Sequence, residues 1–145
     1  MGMDLYVYAR EKGLPYEYDE ELCYARKFWG LWDCLKTEPT EVQEQILDKN
    51  KWYALMDNIG KHIDLLHEVE AIYDKYFFDR NFMAARDEMK KINKYEKWYN
   101  DTFCETPVLG YDFDLHAIIE WYEKRETVNN YLEDDDYCVY IYCSY

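Results

Sequence analysis

The stretch Tyr18–Lys36, YDEELCYARKFWGLWDCLK, places the tightest constraint on the fold. It has an acidic start, an apolar and aromatic middle, and a stop at Thr37-Glu38-Pro39. Leu22, Ala25, Phe28, Trp29, Trp32 and Leu35 recur at spacings of three and four, which predicts one face of a helix. Asp19 is placed to cap that helix, with Glu20 and Glu21 at its positive end. A face carrying Phe28, Trp29 and Trp32 is too large to leave in water. The rest of the chain is expected to close over it, with both tryptophans mostly buried.

The two ends of the chain read differently. Met3 to Ala9 alternates, with Met3, Leu5 and Val7 on one face and Asp4, Tyr6 and Tyr8 on the other, which predicts a strand. Tyr137 to Cys143, YCVYIYC, is strand-like in its β-branched and aromatic content. Between the ends the pattern is helical. Thr40 to Asp48 reads as a short helix capped by Thr40, and Asn50 as the cap of a longer one. Trp52, Leu55, Met56, Ile59, Ile63, Leu66, Val69, Tyr73, Tyr76 and Phe77 form the stripe of that longer helix. Gly60 lies inside the run and is a candidate kink, costing about 1 kcal/mol relative to alanine. Asp79 to Asn100 predicts another helix. After a loop marked by Thr106-Pro107 and Gly110, Asp112 or Asp114 caps a last one reaching about Leu132. The expectation is an α+β fold in a single domain, residues 1–145. It is mostly helical, with four to five helices, and a small sheet pairs the terminal strands.

Composition narrows the partners. With 31 acidic and 17 basic residues the net charge is −14. Such a surface repels phosphates and anionic membranes, so direct nucleic-acid binding and membrane association are not expected. No apolar run is long enough to cross a bilayer. The five cysteines lack zinc-knuckle spacing and read as free thiols in a reducing cytoplasm. The charge is uneven: 79–100 carries a net +2, leaving −16 for the remainder. Arg86, Lys90, Lys94 and Lys97 form a basic stripe on that helix, either snorkelling along the core edge or serving as a docking edge for a second copy.

Motifs for chemistry are sparse. Asp64 and His67 stand one turn apart, but a di-iron site needs a second such pair and further carboxylates. There is no glycine-rich phosphate loop and no Gly-x-Ser-x-Gly element. The chain therefore reads as a non-enzyme with no catalytic residue, no metal and no cofactor. Period-two alternation sends Tyr6 and Tyr8 outward on the first strand, and Tyr140 and Tyr142 outward on the last. If the strands are neighbours, these four tyrosines form one patch. Together with the acidic run Glu133, Asp134, Asp135 and Asp136, they are the candidate partner-binding residues.

The opening Met-Gly-Met-Asp-Leu-Tyr-Val-Tyr resembles short phage and prophage proteins that begin Met-Gly-Leu-Asp-Met-Tyr-Leu. Cys23-Tyr24-Ala25-Arg26-Lys27 is similar to a Tyr-Trp-Arg-Lys segment of that group, with Ala25 in place of the Trp. The resemblance implies a phage gene product acting in the cytoplasm of a bacterial host, and it carries over no activity. The functional expectation is an acidic interaction protein that inhibits a bacterial defence nuclease, in the manner of an anti-CRISPR, by occupying its basic nucleic-acid-binding surface. A compact chain of this length is about 38 Å across. Duplex DNA of that length carries about 22 phosphates, so −14 would be comparable only if concentrated on one side. The alternatives are a small-ligand or nucleotide sponge, whose base would stack on Tyr or Trp, and a structural phage component. A homodimer is a further candidate assembly.

Overall fold

The computed structural model describes residues 2–77, 83–104 and 113–145. A four-stranded antiparallel sheet has the order β2-β1-β4-β3. Its strands are β1 (Asp4–Glu11), β2 (Glu20–Arg26), β3 (Glu44–Ile46) and β4 (Tyr137–Ser144). The helices are α1 (Trp29–Leu35), α2 (Lys49–Tyr76), α3 (Arg86–Phe103), α4 (Phe113–Glu123) and α5 (Arg125–Glu133). The fold is α+β, and the two terminal strands pair at its centre from Asp4↔Ser144 to Glu11↔Tyr137.

The alternation of β1 and β4 decides which face of the sheet is covered. Leu5, Val7 and Ala9 are buried on β1, with Met3 just before it, and Val139, Ile141 and Cys143 on β4. The helices pack on that side. The Trp121 indole of α4 donates to the Tyr24 carbonyl of β2 at 2.9 Å. The long α2 is the spine of the helical layer, contacting α1, α3 and α4. Trp52 on α2 meets Trp121 with ring centroids 6.1 Å apart. At the other end Phe28 stacks on Tyr99 and meets Phe103 edge-on.

Tyr18–Lys36 is not one helix. It holds the end of a 3-10 turn (Tyr16–Tyr18), then β2, then the two-turn α1. The cause is a bulge. Val7 pairs with Cys23, but Tyr8 pairs with Glu21, so Leu22 is an extra residue. Leu22 and Cys23 are both buried and the strict alternation is broken. One inserted residue turns a period of two into a spacing of three, which imitates a helix. Lys27, at φ 56°, then turns the chain into α1. Trp32 is fully buried, whereas Trp29 at its start keeps 39% of its surface exposed. Asp19 is not an N-cap; it follows the 3-10 turn, and its carboxylate accepts from both Nε and Nη2 of Arg10 at 2.8 and 2.9 Å.

Thr40–Asp48 is likewise not a helix. Within it lies β3, and the buried Gln45 side chain occupies the backbone groups of the loop before it. The cap of α2 is Asp48, not Asn50: its carboxylate accepts from the Lys51 amide at 2.9 Å. α2 runs through Gly60 as continuous helix. The glycine makes room, since a Cβ there would stand 2.9 Å from the Tyr122 hydroxyl. α3 begins at Arg86 rather than Asp79, of which only 83–85 are described beforehand, and the Glu88 carboxylate reaches back to the Ala85 amide at 3.0 Å. The expected helix to Leu132 is two, α4 and α5, interrupted at Lys124. No glycine or proline marks that break. Asp114 lies in the first turn of α4, while Asp112, Pro107 and Gly110 lie outside the described residues.

Candidate functional interface

Among the described residues no helix covers the outer face of the sheet where the tyrosines lie. The β1–β4 register sets Tyr6 opposite Tyr142 and Tyr8 opposite Tyr140, as the alternation predicts. The Tyr8 and Tyr140 rings stack at 5.4 Å, and Tyr6 lies 6.3 Å from Tyr142. β2 adds Tyr24, opposite Tyr6 with centroids 5.1 Å apart and 40% exposed. The other four rings are half-buried against one another. β3 adds Ile46, opposite Tyr140 and 64% exposed.

Carboxylates hold the hydroxyls in place. Tyr24 donates to Asp4 at 2.7 Å, and Tyr8 donates to Glu44. The Arg10 guanidinium lies 4.8 Å from the Tyr140 ring centroid and 5.6 Å from that of Tyr8. Its partners are Asp19 and, at 3.6 Å, Glu44. The face therefore already holds one guanidinium between aromatic rings and acids. Burial raises the Tyr6, Tyr8 and Tyr140 hydroxyls above the ordinary tyrosine range, with the Glu44 bond adding at Tyr8. At Tyr24 the bond to Asp4 leads, with burial adding. These phenols stay neutral near pH 7. They act as flat apolar surface with donor tips, not as acids or bases.

The acidic run lies at one end of this face. Glu133 closes α5 and accepts from the Tyr53 hydroxyl at 3.0 Å. Asp134, Asp135 and Asp136 form the exposed turn into β4, and the Lys12 amide at the end of β1 donates to the Asp136 carbonyl. The structure thus sets the acidic run beside the tyrosine sheet. It does not bring the basic stripe there. Arg86, Lys90, Lys94 and Lys97 are exposed on α3, in the helical layer, and Lys97 bonds Asp101 at 2.7 Å.

Of the other sequence candidates, Asp64 is exposed and His67 lies 3.8 Å from Glu70, one turn on. The second Glu70 oxygen binds His116 of α4 at 2.6 Å, tying α2 to α4. Among the described residues no three His, Cys, Asp or Glu side chains are grouped to hold a metal ion. No described helix is long and apolar enough to cross a membrane. No family model matches the chain, and neither a curated protein nor a solved structure matches it.

Sequence reasoning missed Tyr24, Asp4, Glu44 and Arg10. Asp4 and Arg10 continue the outward alternation of β1, so the signal was present. Tyr24 was hidden by the bulge that made β2 look helical. Glu44 sits on a three-residue strand whose pattern is too short to read.

Proposed function

We propose that this chain is a non-catalytic interaction protein whose binding surface is the open tyrosine face of its sheet, and that its partner is a basic protein. The observation that carries the reading is the uncovered face of five neighbouring tyrosines with Asp4, Glu44 and the Asp19–Arg10 pair among them. Tyrosine is enriched at interface centres because it adds rigid contact area at little entropic cost. Strands of eight residues set in three long rows cover about 26 Å by 14 Å, or about 370 Å². A standard interface buries roughly 800 Å² per partner, so the tyrosines supply a centre and the rim must come from neighbours. Ile46 on one edge and Glu133–Asp136 at one end are the exposed neighbours available.

Within this reading the finer proposal is a phage product that acts in a bacterial host and occupies the basic nucleic-acid-binding surface of a defence nuclease. The net charge of −14 and the sequence resemblance support it. The nucleotide-sponge alternative finds less support on this face. The Tyr8 and Tyr140 rings, at 5.4 Å, are already stacked on each other, which leaves no slot between them for a base.

The test is capture from bacterial lysate on the immobilised chain, compared with Tyr8→Ser/Tyr140→Ser. The wild type should retain basic proteins that leave as salt rises, because exposed charges are screened beyond about 8 Å at physiological salt. The double variant should keep cooperative unfolding and lose the captured proteins. Capture that ignores both salt and the double substitution would refute the reading.

A further inference from the structure

A groove of about 420 Å³ lies between α2 and the α4–α5 junction. It falls at the low end of the roughly 300–1,000 Å³ typical of small-molecule sites. None of the tyrosines of the sheet face lines it. Its construction begins at Gly60, whose missing side chain lets Tyr122 lie close. A Cβ there would meet the Tyr122 hydroxyl at 2.9 Å and Cε1 at 3.2 Å. The Arg125 guanidinium in turn lies 3.9 Å from the centroid of the Tyr122 ring, and its Nη1 donates to the Tyr122 carbonyl at 2.8 Å. Ring and backbone together fix the guanidinium in place.

Among the described residues that guanidinium has no carboxylate partner. Four basic side chains are half-buried among the described residues: Arg10, Lys36, Lys91 and Arg125. Arg10 pairs with Asp19, Lys36 with Asp33 and Lys91 with Glu68. Arg125 alone of the four has no described carboxylate within ion-pair distance, in a chain with 31 acids. The groups around it are donors as well. Asn129 accepts from Trp52 Nε1 at 2.9 Å through its oxygen, which leaves its amide N–H groups uncommitted. The one carboxylate among the lining residues, Asp57, is paired with Lys61 at 3.0 Å. Lys61 and Arg125 against Asp57 leave the lining locally cationic. The acidic remainder of the surface is screened beyond about 8 Å at physiological salt. A planar guanidinium with a free edge matches a carboxylate or phosphate in two parallel bonds.

We infer that this groove binds a small molecule through a carboxylate or phosphate group, held by Arg125 from its stacked position on Tyr122. The site is independent of the tyrosine face, and either can fail without the other.

The test titrates the full chain with inorganic phosphate and, separately, with succinate, following the indole N–H resonances by NMR. The Trp52 indole bonds Asn129 at the groove and should shift saturably, while exposed Trp29 on α1 should not move. A saturable response to phosphate alone assigns a phosphate ligand, and to succinate alone a carboxylate ligand. Arg125→Gln should weaken binding at least about tenfold, the loss of a charge-assisted pair. Arg125→Lys, which keeps the charge without the fork, should recover only part. Gly60→Ala should also weaken binding by displacing Tyr122, an effect that diffuse surface charge would not produce. Overturning results are the absence of a saturable Trp52 shift with either titrant in the wild type, or an Arg125→Gln variant that binds as the wild type does.

Discussion

Gln45 is the one buried polar side chain among the described residues outside the aromatics, at 2% exposure. Its Oε1 accepts from the Thr37 and Glu38 amides at 2.9 and 3.0 Å. Its Nε2 donates to the carbonyls of Glu38, Pro39 and Val42 at 3.1, 3.2 and 2.8 Å. One amide thus organises the whole loop that delivers β3 to the sheet edge. Replacing it by leucine keeps the volume and removes four bonds, since the two Nε2 hydrogens are shared among the three carbonyls. At about 0.5–1.5 kcal/mol net per bond the loss is roughly 2–6 kcal/mol. Thr37, Glu38, Pro39 and Val42 are exposed, so water can reach much of the freed backbone. The expected cost of Gln45→Leu is therefore at the lower end, about 2–4 kcal/mol. For a domain of this size each kcal/mol lowers Tm by about 2–4 °C, so a fall of roughly 4–16 °C follows. Urea denaturation followed by tryptophan fluorescence gives the free energy and thermal melting the Tm. Gln45→Glu keeps an acceptor for the two amides but sets a carboxylate oxygen against the three carbonyls, and should cost at least as much as Gln45→Leu at pH 7. A Gln45→Leu chain within about 0.5 kcal/mol of wild type would show that the loop holds itself, and the reasoning would be wrong. The perturbation also reaches the interface, because Glu44, which accepts from Tyr8, is the adjacent residue.

Trp32→Ala should cost about 3–5 kcal/mol, since the side chain is fully buried, while Trp29→Ala should cost under about 1 kcal/mol; paired chemical denaturation curves separate them, and equal losses would refute the burial argument. Alkaline pH should destabilise the fold through its tyrosines. The bond to Glu20, with burial adding, pushes the Tyr131 hydroxyl from 10.0 up to about 12, and Tyr24 moves the same way through Asp4. The folded state binds these phenolic protons more tightly than the unfolded state. This stability is complete below pH 10 and is lost as the pH rises from about 10 to 12. Denaturation midpoints measured across that window should drop, and the drop should shrink in Tyr131→Phe; a flat profile would contradict the assignment.

What could be read from the sequence was what short-range pattern determines. The strict alternation of Leu5, Tyr6, Val7 and Tyr8, and of Val139 to Tyr142, announced both terminal strands, their buried faces and the outward tyrosines. The stripe from Trp52 to Tyr73 announced α2. What failed were places where tertiary structure rewrites local pattern. At Leu22 a single bulged residue made a strand resemble a helix, and with it hid Tyr24, the fifth ring of the interface. Asp48 could be preferred to Asn50 as the α2 cap only from the geometry of the turn. At β3 three residues are too few to carry a period, and their placement depends on Gln45 reaching back to a loop. The groove at Arg125 had no sequence signal beyond an unexplained Gly60 in a helix, because its parts come from α2, α4 and α5.

β4 is the last of the four strands in the chain, yet it occupies an interior place between β1 and β3. On a ribosome the β1–β2 hairpin and β3 are made first and cannot touch each other. The seat between them stays empty until Tyr137–Ser144 leaves the exit tunnel. The sheet is then closed by a contact such as Leu5↔Cys143, which spans nearly the whole chain. Joining ends so far apart has an entropic cost of about 4 kcal/mol from loop length alone, before any constant. Folding should therefore be late and concerted. A nascent chain stalled before β4 would expose two unpaired strand edges, a state that a cell must shield until β4 has been made.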